Sequence, residues 1–146
     1  MARSSFRVLV VEDYKPFRRF VCSTLNKSTE LLVVCEVSDG LEAVRKAEEL
    51  RPDLILLDVG LPTLNGIQAA RRMRKLSPES KILFLSQESS ADVVQEAFRL
   101  GALGFVAKTD AGSELLTAVN AVLRGETFAS SSLAERNLQE HSVHSR

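Results

Sequence analysis

Five short apolar runs alternate with five longer stretches of helical spacing, and this alternation limits the possible fold more than any other feature of the chain. The runs are FRVLVV (6–11), LLVVCEV (31–37), DLILLDV (53–59), KILFLS (81–86) and LGFVAK (103–108). They are nearly continuous in apolar character, as strands covered on both faces are. The stretches between them space their apolar residues three and four apart. Phe17, Phe20, Val21 and Leu25 come first, then Leu41, Ala43, Val44, Ala47 and Leu50. Ile67, Ala70, Met73 and Leu76 follow, then Val93, Val94, Ala97, Phe98 and Leu100, and last Leu115, Leu116, Ala118, Val119, Val122 and Leu123. Asp39, with Glu42 three residues on, has the form of a capping box. Pro52 and Pro78 fall where helices stop, and Gly101 and Gly125 stand just past the last periodic residues. Five βα units predict an α/β, doubly wound (βα)5 three-layer sandwich with a parallel sheet in the order 2-1-3-4-5.

The 146 residues suffice for one ordinary domain and not for two. Residues 1–126 are expected to form it. Residues 127–146, with a serine cluster and the helix-compatible SLAERNLQE, are expected as a tail or short linker helix. Nineteen basic and nineteen acidic residues give a formal net charge of zero, which argues against a broad nucleic-acid footprint. The one basic cluster, RRMRKL (71–76), fits a solvated helix face. Cys22 and Cys35 sit in apolar surroundings without CxxC spacing, and His141 and His144 lie far along the chain, so a zinc site is not expected. No signal peptide or membrane-spanning run is evident, and the expectation is a cytoplasmic protein with reduced thiols.

Polar groups gather where strands end. Glu12 and Asp13 close the first run, Asp58 the third, Ser86 the fourth and Lys108 the fifth. In the 2-1-3-4-5 order these four ends lie side by side, at the edge where open α/β sheets bind ligands. Strand 2, off to one side, ends in Ser38-Asp39, which the helix cap explains. Taken singly, Asp13 could cap a helix and Glu12 could face a helix dipole. Taken together, the three acids repel one another unless a cation compensates, and oxygen ligands alone suit Mg2+. An Asp in such a site can act as a nucleophile toward phosphorus. Lys108 and the Ser86 hydroxyl would then stabilise the transferred oxygens.

The motifs VVED, DVGLPTLNGI, FLS and GFVAK, in this order and each at a strand end, make residues 6–124 closely similar to the receiver domain of two-component response regulators. That resemblance implies the flavodoxin-like fold and a phosphorelay role, with Asp58 accepting a phosphoryl group from a sensor histidine kinase. It implies Mg2+ bound by Asp13 and Asp58, with Glu12 helping through water and the Gly60 backbone carbonyl as a further ligand. Ser86 and Lys108 would clasp the phosphoryl group, and Phe105 stands at the switch-aromatic position. Gly66 falls at the family's turn glycine. The signalling face would map to residues 91–124, where a downstream protein partner binds, with a phosphorylation-dependent homodimer as a further hypothesis. Such a domain promotes only its own phosphorylation and dephosphorylation and is not otherwise an enzyme.

There are departures. Thr109 follows Lys108 where many receivers carry a cis-proline, and Gln87 follows Ser86 where small residues are frequent. Gly60 and Glu88 occupy the two positions that tune phosphate lifetime in the family. KTDAGSELLTAVNAVLRGE looks most like receivers joined to a NarL/LuxR-type helix-turn-helix, and the expectation is a stand-alone receiver. A phosphatase of the haloacid dehalogenase type would need an acid at position 60, which is Gly. A flavin carrier would need a phosphate-binding first loop, and EDYKPF would repel one. The remaining alternative is a phosphate-independent receiver-like interaction module.

Overall fold

The computed structural model describes residues 5–133. Strands β1 (Phe6–Val11), β2 (Leu31–Val37), β3 (Leu54–Asp58), β4 (Lys81–Ser86) and β5 (Gly104–Ala107) alternate with five helices. These are α1 (Lys15–Leu25), α2 (Gly40–Leu50), α3 (Gly66–Leu76), α4 (Ala91–Arg99) and α5 (Ala111–Leu123). A single 3-10 turn, Lys108–Asp110, joins β5 to α5, so Lys108 lies just past its strand and not within it. The sheet is parallel throughout and ordered β2-β1-β3-β4-β5, as expected, with a two-residue strand β6 (Phe128–Ala129) added beside β5.

The continuous apolar runs split by residue parity into two cores. Leu9, Val11, Ile55, Leu57, Ile82, Phe84 and Phe105 face one side, with Ala43, Ala47, Ala69, Ala70, Met73 and Ala97 of α2, α3 and α4. Val8, Val10, Leu54, Leu56, Leu83, Leu85 and Val106 face the other, with Val21 and Leu25 of α1 and Leu115, Val119 and Val122 of α5. Successive strand side chains point to opposite faces, so a strand buried on both has no polar position to spare. All of β3 is buried, including its terminal Asp58.

The caps divide differently from the sequence expectation. Asp39 accepts from the Glu42 N–H at 2.9 Å and caps α2. The reciprocal capping box belongs to α3, where Asn65 accepts from Gln68 N–H and the Gln68 side chain accepts from Asn65 N–H. The basic cluster is only partly a solvated face: Arg71 pairs with Glu96 of α4 at 2.7 Å, and Arg74 donates to the Pro78 carbonyl at 3.2 Å.

The expected boundary at residue 126 falls inside the packed unit. Gly125, at φ 84°, turns the chain after α5, and Phe128 N–H then donates to Leu103 O at 2.9 Å. Ser130 and Leu133 are buried. The edge of β5 offers unpaired backbone groups, and Phe128 and Leu133 supply apolar surface to cover it. The expected linker helix falls mostly on residues 134–146, outside the described ones.

The loop after β3 carries strain. Thr63 has φ 65°, a left-handed conformation that a β-branched residue adopts at a cost. Its hydroxyl donates to Asp39 Oδ1 and accepts from Leu41 N–H, both at 3.3 Å, so it ties this loop to the start of α2. Asparagine tolerates the left-handed region and keeps an oxygen acceptor. Thr63→Asn is therefore expected to stabilise the fold by about 0.5–1 kcal/mol, seen as a higher urea midpoint. A lower midpoint would mean that the hydroxyl contacts outweigh the strain.

Candidate functional site

The sheet order brings the carboxyl ends of β1, β3, β4 and β5 together, and the acids after β1 and at the end of β3 converge with Lys108. Carboxylate oxygens of Glu12, Asp13 and Asp58 all lie within 4.8 Å of one another. Lys108 reaches over from the adjoining 3-10 turn, its Nζ 2.8 Å from Glu12 Oε1 and 3.5 Å from Asp58 Oδ2. Asp13 does not cap α1: Tyr14 occupies that position, and its side chain makes no cap bond. Asp13 therefore is not the N-cap of this helix.

Each acid has a different setting. Asp13 is exposed, whereas Glu12 and Asp58 are only 1% and 5% exposed. Glu12 Oε2 accepts from Tyr14 N–H at 2.9 Å. Its Oε1 is buried and faces the Lys108 ammonium at 2.8 Å. Burial pushes the Glu12 carboxyl above the usual range. Lys108 and the Tyr14 N–H draw it back, and the neighbouring Asp58 charge adds to the rise. Asp58 Oδ1 accepts from Gly60 N–H at 3.2 Å.

This donor set fits a hard divalent cation. It is all oxygen, one member opens to solvent, and its three carboxylates lie within 4.8 Å of one another. Ser86 closes β4 and is 2% exposed. Its oxygen accepts from Glu88 N–H at 3.0 Å, which leaves the hydroxyl hydrogen available as a donor. Phe105 is fully buried, its ring 6.0 Å from that of Phe84.

Two contributors were not visible as site residues in the sequence. Phe17, spaced like a core residue of α1, lies under Lys108 with the ammonium 4.7 Å from its ring centre. Gly66 was recognisable only as a turn glycine. A Cβ there would sit 2.2 Å from the Asp58 carbonyl oxygen, so α3 approaches the back of Asp58 closely.

Lys108→Ala removes the ammonium that faces both buried acids. Breaking a buried pair from one side leaves its partner charged and uncompensated. The expected cost is about 3 kcal/mol at neutral pH with EDTA present, read from urea unfolding. The sign with pH follows from Glu12. Its folded-state affinity for a proton is raised, so protonation removes the unpaired charge and the penalty shrinks as pH falls. A deficit independent of both pH and Mg2+ would rule out this electrostatic origin.

A family model described as the response regulator receiver domain matches residues 8–120. A putative transcriptional regulator of Pseudomonas aeruginosa is 35% identical over 119 residues, 82% of this chain and 57% of that protein. The transcriptional regulatory protein LiaR of Bacillus subtilis is 33% identical over 132 residues, 90% of this chain and 63% of that protein. The chain thus spans less than two thirds of the length of these relatives. Among solved structures, a two-component response regulator of the LuxR family from Aurantimonas sp. SI85-9A1 matches with a TM-score of 0.89 at 29% identity, over 95% of this chain and 99% of that one. The signal receiver domain of the putative response regulator NarL from Mycobacterium tuberculosis matches at 0.80 and 31% identity, over 85% and 100%. The fold, the site and these likenesses agree: the chain belongs to the receiver domain family of two-component response regulators.

Proposed function

We propose that this chain is a Mg2+-dependent phosphorelay receiver, in which Asp58 accepts a phosphoryl group from a sensor histidine kinase. The observation that carries this reading is the meeting of Glu12, Asp13 and Asp58 within 4.8 Å, with the Lys108 ammonium beside two of them. In the transfer, an Asp58 carboxylate oxygen bonds to phosphorus as the bond from phosphorus to the donor histidine nitrogen breaks. The nitrogen keeps the electron pair. Gly60 N–H holds the second carboxylate oxygen in orientation. Lys108 exchanges its contact with Glu12 for the transferred oxygens, and Ser86 donates its hydroxyl hydrogen to one of them. Mg2+, held by Glu12, Asp13, Asp58 and the Gly60 carbonyl, would neutralise charge on the phosphoryl oxygens.

Contacts made only in the phosphorylated state bias a two-state equilibrium of the face at residues 91–124, with the buried Phe105 as its switch aromatic. A downstream protein partner, or a second copy of the chain, binds that face. The chain accepts and loses its own phosphoryl group without turning over a separate substrate, and it contacts no nucleic acid by itself. No helix among the described residues is long and apolar enough to cross a membrane. A cytoplasmic location is part of the same reading.

The test is incubation with acetyl phosphate and Mg2+, followed by intact mass and peptide mapping. One phosphoryl group per chain, located at residue 58 and absent with EDTA, is the expected result. No adduct, together with no binding of the phosphoryl mimic beryllofluoride, would leave the phosphate-independent module as the correct reading.

A further inference from the structure

Lys108 stands in a turn whose own sequence does little to hold it. The Lys-Thr-Asp turn has no proline, and Asp110, at the N-cap position of α5, makes no cap bond to that helix. Its carboxylate is turned instead to the segment after β6. Ser132 Oγ donates to Asp110 Oδ2 at 2.6 Å, and Ser132 N–H donates to the same oxygen at 3.3 Å. Hydroxyl bonds from Ser132 and then Ser130 hold the Asp110 carboxyl below the usual range.

On the other side of Lys108, Ala107 N–H donates to Ser130 Oγ at 3.0 Å. Ser130 is fully buried, and its own N–H donates to Phe105 O at 3.1 Å. The residue before Lys108 and the residue two after it are thus fastened to one short stretch, Ser130 to Ser132. That stretch is itself anchored. Leu133 is 2% exposed and joins the core that includes Phe105 and Ala107. Ser131 N–H and Oγ donate to Glu114 at 3.1 and 3.2 Å. Meanwhile the far end of the Lys108 side chain is held by Glu12, Asp58 and the Phe17 ring. A flexible lysine restrained at both ends is pre-organised for charge developing at one point.

We infer that Asp110, Ser130 and Ser132 are positioning residues for Lys108, so that the chain beyond α5 takes part in phosphoryl transfer. Both serines lie outside the 8–120 span of the family match. The inference rests on the proposed role of Lys108, and its test separates the two.

The experiment measures the rate of phosphorylation at saturating acetyl phosphate and Mg2+ by intact mass, using the full chain. Ser132→Ala and Asp110→Ala are expected to slow it about tenfold. Ser132→Thr, which keeps the hydroxyl, restores the wild-type rate. In a Lys108→Ala background, Ser132→Ala and Asp110→Ala change nothing further, because the group they position is gone. Ser132 and Asp110 are only half-buried, so the variants remain folded. Wild-type rates in Ser132→Ala would overturn the inference, as would an equal slowing with and without Lys108. Failure of the wild type to take any adduct would overturn the parent reading instead.

Discussion

Asp58→Asn is expected to take the phosphoryl adduct from one per chain to none, while leaving the domain folded and slightly more stable. The amide lacks the nucleophilic carboxylate. The substituted amide can still accept from Gly60 N–H through its side-chain oxygen, so the contact seen at 3.2 Å survives. One of three crowded carboxylates is neutralised, and the lysine retains Glu12 at 2.8 Å. Less like-charge repulsion, set against a weakened Lys108 contact, leaves a net gain of about 1 kcal/mol without divalent metal. Intact mass and urea unfolding in EDTA check the two halves. A full adduct on the Asp58→Asn chain would move the acceptor to another residue and sink the assignment.

Gly66→Ala is expected to damage stability and chemistry together. The added Cβ would lie 2.2 Å from the Asp58 carbonyl oxygen, 2.7 Å from Val59 Cα and 2.9 Å from the Asp58 carbonyl carbon. All three are backbone atoms, so no rotamer change relieves the clash. Either α3 shifts outward or the end of β3 moves. Overpacking of this kind costs about 3 kcal/mol. Displacement of Asp58 by roughly 1 Å would slow phosphorylation by about a hundredfold. Gly60→Ala is the contrasting control, since a Cβ there meets nothing within 4 Å. Its stability should stay within about 0.5 kcal/mol of wild type. Equal tolerance of alanine at 60 and 66 would show that α3 does not press on the phosphoacceptor strand.

The two glycines illustrate how much of the site could be read beforehand. Gly60 drew attention through its place in DVGLP, and Gly66 only as a turn residue, yet close packing falls on Gly66. The acids were plain because they interrupt apolar runs, as Asp58 does after LILL. Phe17 was not, because its spacing is that of any residue on the buried stripe of α1. Ser130 and Ser132 lay in a serine cluster with the composition of a tail, and nothing local distinguishes a hydroxyl that fastens a lysine turn from one facing water. The Asp39 cap was legible for the same reason the Asn65–Gln68 box could have been, since both are local spacings of capping residues.

The division follows from range. Period, caps and the chemistry of strand ends depend on neighbours within a few residues, and the sequence alone pointed from them to five βα units, the order of the first five strands and the nearness of Glu12, Asp13, Asp58 and Lys108. Contacts across the closed fold depend on how both helical layers settle on the sheet. Lys108 meets Asp58 across 50 residues, and Ala107 meets Ser130 across 23. Tertiary packing alone decided that Glu12 would be buried against the lysine and that α3 would press on Asp58. It also decided that the chain after α5 would become a sixth strand fastened to the turn bearing Lys108.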